Sequence, residues 1–101
     1  MKLSREDAAK ALSDAPPEKC FWVHNGPILH NVYELSDAVL SMGSDTFRHH
    51  ASAEKNDFSN WIADVLHDKK LSKDVRGANS KEDVSKRIRK RINELEKICG
   101  R

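Results

Sequence analysis

Five histidines, two cysteines and a scatter of carboxylates are the side chains in this 101-residue chain that could do chemistry. His24, His30, His49, His50 and His67 are numerous enough for a transition-metal site, because imidazole nitrogen is a common ligand for zinc and its neighbours. Their spacing argues against one. Two ligands on one helical face want i,i+4 separation, whereas His49 and His50 are adjacent and project about 100° apart on a helix. A site would have to combine His24 or His30 with one of the adjacent pair, Cys20 being an optional third ligand, and His49 or His50 with His24 is the leading set. No part of the chain has the spacing of a zinc pattern, so the histidines read as partly exposed or core-edge side chains and no metal ligand is assigned. Asp57, Asp64, Glu54 and Cys20 are the other reactive groups, but there is no Gly-x-Ser-x-Gly, no glycine-rich phosphate loop and no paired acidic motif. The expectation is a protein without catalytic residues or a cofactor.

Two stretches remain as candidate contact sites. The first is the basic run Lys86, Arg87, Arg89, Lys90 and Arg91, interrupted only by Ile88; residues 80–101 hold eight Lys or Arg against four Asp or Glu. Such a cluster on one helix can neutralise several phosphates, and few acidic partners stand at helical spacing from Arg87, Arg89 and Arg91. The second is Cys20 to Asn31, CFWVHNGPILHN, where His24, Asn25, Gly26 and Asn31 could meet an anion or a partner backbone at a helix N-terminus. Its plainer reading is a tight turn that aims Phe21 and Trp22 at the core. Asn25 and Gly26 then supply unusual backbone angles and Pro27 a fixed one.

The elements that must position these residues are mostly helical. Ser4 three residues before Asp7 opens a short helix with Ala8, Ala11 and Leu12 inward, and Pro16 and Pro17 stop the chain from continuing it. Cys20 to Val23 form an apolar run with no strand partner in view, which predicts a buried extended segment. Asn31 and Glu34 open a second helix with Val32, Leu35, Val39 and Met42 on one side and Gly43 as its stop. A third follows Ser44, with Phe47 and Ala51 inward. Phe58, Trp61, Ile62, Val65 and Leu66 mark a central helix capped by Asn56 or Asp57. After a short helical turn and a polar linker, Ser80 and Asp83 open a long helix with a stripe of Val84, Ile88, Ile92, Leu95 and Cys99, closed by Gly100. The fold class is all-α: a compact bundle of five or six short helices, one extended buried segment and a longer basic C-terminal helix. One domain spans 1–101, with a helical core at 4–75 and the basic helix at 80–100. Phe21, Trp22, Leu35, Val39, Phe47, Phe58, Trp61, Ile62 and Leu66 are the expected core.

Composition sets the outer bounds. Hydrophobic residues make up 38% and charged residues 34%, enough apolar surface to fold one modest core. A net charge of only +2 excludes a uniformly basic nucleic-acid binder and directs attention to how charge is distributed. No apolar run approaches the ~20 residues of a membrane span, and the first ten residues turn acidic too early for a signal peptide. Cys20 and Cys99 belong to no paired motif, so a reducing cytoplasm with both thiols free is the expectation.

Residues 20–75 also carry a resemblance. The pieces Phe21-Trp22-Val23, Asn25-Gly26-Pro27 and Asn56-Asp57-Phe58-Ser59-Asn60-Trp61, in that order, resemble a family of small domains of unknown function found mainly in archaeal proteins. The resemblance implies no activity and no site residues, and it leaves out the N-terminal helix and the basic C-terminal one. The function expected from the residues is therefore interaction: nucleic acid held through phosphates, with little sequence preference. The first alternative is a protein-protein adaptor or oligomerisation module that uses the apolar stripe of the last helix. Histidine-based metal binding is the second. No membrane partner is expected, and the oligomeric state is left open.

Overall fold

Short-range chemistry at the helix starts explains most of the architecture. In the computed structural model, which describes residues 3–101, side chains cap the helices where the sequence places them. Ser4 accepts the Asp7 N–H ahead of α1 (Arg5–Leu12), and Asn31 accepts the Glu34 N–H ahead of α2 (Val32–Ser41). Asn56 does the same for α4 (Asp57–Asp64), Asp68 for α5 (Lys69–Arg76) and Ser80 for α6 (Lys81–Cys99). Each satisfies one orphan backbone donor, worth about 1 kcal/mol. Gly100, at φ 86°, closes α6 in the left-handed conformation that favours glycine. Gly43 is not the stop of α2: Met42 closes that helix, and Gly43 precedes α3 (Ser44–His50), whose N-cap makes no side-chain bond.

The extended segment does have a partner. β1 (Phe21–Trp22) pairs antiparallel with β2 (Ile28–Leu29), Phe21 opposite Leu29 and Trp22 opposite Ile28. The turn between them holds Asn25 at φ 56°, and the Gly26 N–H returns to the Val23 carbonyl at 3.0 Å. Gly26 is needed for space, not for its φ, because a Cβ there would sit 2.9 Å from Val23 Cγ1. Neighbouring side chains in a strand face opposite ways, so this pairing sends Phe21 inward and Trp22 outward. Trp22 is 72% exposed and leaves the expected core; Phe47 is half-buried.

The other expected core residues are buried, and α6 supplies more. Val84, Ile88, Ile92 and Leu95 pack against α1 and α2, with α5 alongside, while α4 packs on α5. Between α4 and α5 the buried hydroxyls of Ser59 and Ser72 lie 2.8 Å apart, each also donating to the other's carbonyl. Phe21 meets Phe58, Trp61 and His50 at centroid distances of 5.3, 5.7 and 5.0 Å. Trp61, 8% exposed, donates its indole N–H to the Lys19 carbonyl at 2.7 Å, fastening the segment before the hairpin to α4. Mostly helical and compact, with one small hairpin, the chain has a radius of gyration of 12.8 Å, close to the ~13 Å of a 100-residue domain. Among the described residues no helix is long and apolar enough to cross a membrane.

Candidate functional site

The basic run on α6 resolves into two kinds of cation. Arg91 is 7% exposed and forms a bidentate pair with buried Asp68, Nε donating to Oδ2 at 2.9 Å and Nη2 to Oδ1 at 3.2 Å. Burial works against its charge, but the bonds and charge of Asp68 outweigh that and raise its pKa. Arg91 therefore braces α6 against the start of α5 and presents little of itself to solvent. Arg87 donates to Asp83 at 3.2 Å and to the Asp74 carbonyl at 3.0 Å, and Arg89 meets Asp37 at 3.4 Å. The expectation that these arginines lack acidic partners is corrected: α2 and the α4–α5 connection supply two of the partners across the fold, and Asp83 supplies the third within α6. Lys86 and Lys90 are exposed, one helical turn apart, and make no ion pair among the described residues.

Lys86 and Lys90 share a groove with Lys70 of α5, whose ammonium lies 3.5 Å from Glu94. The groove also contains Asp74 and Asp83, so its field is mixed at short range. At longer range the chain is polarised. Residues 68–101 carry twelve Lys or Arg against six Asp or Glu, and residues 1–67 carry six against ten. The apolar stripe of α6, proposed for a partner helix, is already buried within the chain at Val84, Ile88, Ile92 and Leu95, and Cys99 is half-buried.

The second candidate set is divided by the fold. His24, Asn25 and Gly26 form the hairpin tip beside Ala38, Ser41 and Met42 at the C-terminal end of α2, while Asn31 caps the opposite end. A ten-residue helix separates them by about 15 Å. Asn31 is also engaged at both ends of its amide, accepting from Glu34 and donating to Asp14 at 2.8 Å. Glu34 itself occupies the helix start, accepting the His30 N–H at 2.7 Å; that bond, with the one from the His30 ring, holds its carboxyl below the usual range. An anion would find a carboxylate there.

The histidines have one unexpected member. His50 is 5% exposed and uses both ring nitrogens: Nε2 accepts the His24 backbone N–H at 2.9 Å, and Nδ1 lies 3.0 Å from Asp57 Oδ2. These contacts fix a neutral Nδ1–H tautomer. An Asp–His pair is familiar as a general base, yet here the nitrogen that would take a proton is closed by a backbone amide. Burial raises the pKa of Asp57, but the bonds from His50 and Lys55 more than reverse that, leaving it lowered. The exposed rings of His24 and His49 stack at 3.9 Å. Desolvation first, then the neighbouring His24, His50 and Lys55, lower the His49 pKa. No group of three or more metal-type ligands converges among the described residues.

The Arg91–Asp68 pair had a signal in the sequence: positions 84, 88, 91 and 95 follow the 4-3-4 spacing of a buried helical face, so Arg91 falls on the stripe. The role of His50 had none, because its partners depend on how the hairpin docks. Comparison of the chain with protein-family models, with curated proteins and with solved structures finds no match.

Proposed function

We propose that the protein is a non-enzymatic cytoplasmic interaction domain that binds nucleic acid through phosphate contacts on the α5–α6 face. One observation carries the reading: the segregation of charge, which leaves Lys86 and Lys90 exposed and without an ion pair among the described residues, on the positive third of the chain. Arg87 and Arg89 join them, since exposed ion pairs are worth ~0–1 kcal/mol and a phosphate can compete for such cations. Arg91 takes no part. Contacts of this kind read charge rather than base edges, so DNA and RNA of differing sequence bind alike.

The test is fluorescence anisotropy of labelled oligonucleotides across a salt series. Neutralising about three phosphates gives a slope of log affinity against log salt of about −3, and Lys86→Ala with Lys90→Ala lowers that slope by about 2. A salt-independent affinity, or a double variant that binds as the parent does, would sink the proposal.

The adaptor reading keeps a different observation in its favour. Trp22 and its cross-strand partner Ile28, 72% and 42% exposed, form an apolar pair on the outside of the hairpin. Trp22→Ala leaving every co-purified protein in place would end that reading.

A further inference from the structure

A hollow of about 660 Å³ opens between the α3–α4 loop and the α5–α6 linker. That volume lies in the range of small-molecule sites, ~300–1,000 Å³. Its chemistry is uneven in an informative way. Arg48, Lys55 and Arg76 line it against a single carboxylate, Glu54. Arg76 makes no ion pair among the described residues, and its one side-chain bond is a 3.5 Å contact to Asn60 Oδ1, so most of its five N–H donors are unused. Arg48 and Lys55 are tied only by exposed or half-exposed pairs with Asp45 and Asp57, which an anion can displace cheaply.

The rest of the lining is not what a simple anion requires. Asn56 and Asn60, at the start of α4, and Asn79 of the α5–α6 linker line the hollow from two sides. Asn56 uses its oxygen as a cap and Asn60 its oxygen for Arg76, which leaves their amide NH2 groups as donors, and the Asn79 side chain has no hydrogen-bond partner among the described residues. Half-buried Phe47, with Ala51, Ala53 and Ala78, adds an apolar side to the cleft. Arg76 offers a cation without an ion pair among the described residues, and a phosphomonoester, near −2 at neutral pH, has the charge to draw Arg48 and Lys55 from their exposed pairs with Asp45 and Asp57. Amide donors and acceptors beside an aromatic wall suit a flat heterocycle or a sugar.

We propose that this cleft binds a nucleoside monophosphate, its phosphate held by Arg48, Lys55 and Arg76 and its ring or sugar by the three asparagines against Phe47. The ligand has two sources, a free nucleotide or the phosphorylated end of a nucleic-acid strand. The site adjoins the α5–α6 face through Arg76 and the linker, but a free nucleotide would occupy it whether or not that face binds a strand.

The test is an amide NMR titration of the whole protein with four probes: AMP, adenosine, inorganic phosphate and a short oligonucleotide with or without a 5′-phosphate. AMP is expected to saturate the Asn60, Asn79 and Arg76 signals, and to bind about tenfold tighter than adenosine or phosphate alone. Arg48→Ala and Arg76→Ala each weaken it by about tenfold, while Lys86→Ala with Lys90→Ala leaves it unchanged. Both arginines are exposed, so the variants keep the parent spectrum elsewhere. Saturation by the 5′-phosphorylated strand but not by AMP assigns the strand end as the source. Failure of both to move these signals at millimolar concentration overturns the proposal, as does phosphate matching AMP or unchanged binding in both arginine variants.

Discussion

Two buried polar side chains hold the two halves of this molecule, and they do it by opposite means. His50 anchors the hairpin to α3 and α4 as a neutral ring, one nitrogen toward a backbone amide and the other toward a half-exposed carboxylate. Arg91 anchors α6 to α5 as a full charge, forked onto a carboxylate as buried as itself. Low dielectric makes both intolerant of losing a partner, but the penalty scales with charge. Each part of the chain is thus fastened within itself, the basic part by a buried ion pair and the acidic part by a hydrogen-bonded imidazole.

The largest expected effect comes from breaking the charged anchor. Arg91→Ala strands Asp68 among buried groups and should cost about 3–5 kcal/mol, read by chemical denaturation. Arg91→Met combined with Asp68→Asn removes both charges while keeping a side-chain oxygen to cap α5, and should recover most of that loss; a double variant as unstable as the single one would refute the stranded-charge account. His50→Ala comes next, at about 2–3 kcal/mol, because it leaves the His24 amide unsatisfied and a gap beside Phe21. If its loss equals that of Arg91→Ala, charge is not what separates the anchors.

The smallest effect is on pH. His49 and Asp57 both have lowered pKa values, so the folded chain resists protonation at both positions and binds fewer protons than the unfolded one. Their stabilisation is present above the ordinary values of 6.5 and 3.8 and is lost as pH falls through the folded values. The melting temperature should therefore decline from just below pH 6.5 and again below pH 3.8, and His49→Gln should flatten the upper step. A profile that rises on acidification from pH 7 to 5 would contradict the stacked histidine arrangement.

What was legible in the sequence followed the range of the interaction. Asn31, Asn56 and Ser80 cap helices through atoms three residues away, and the α4 stripe of Phe58, Trp61 and Ile62 reads directly as a buried face. Trp22 was misplaced because the two residues of β1 look alike in composition, and only the pairing with β2 decides which of them points inward. The basic run was over-read for a similar reason. Charge counted along α6 cannot show that Asp68 and Asp37, 23 and 52 residues away, would return to meet Arg91 and Arg89. The separation of Asn31 from His24 likewise depends on α2 lying lengthwise against the hairpin.

The contrast between the two tryptophans also gives the protein a built-in pair of optical reporters. Trp22 sits in water and Trp61 sits in the core with its indole bonded to Lys19, so native emission is the sum of a solvated and a shielded fluorophore. Trp22→Phe would leave a single indole whose spectrum and quencher access follow the docking of the hairpin segment onto α4. Whether that segment parts from the bundle before the helices separate could then be watched through one chromophore, with no label attached.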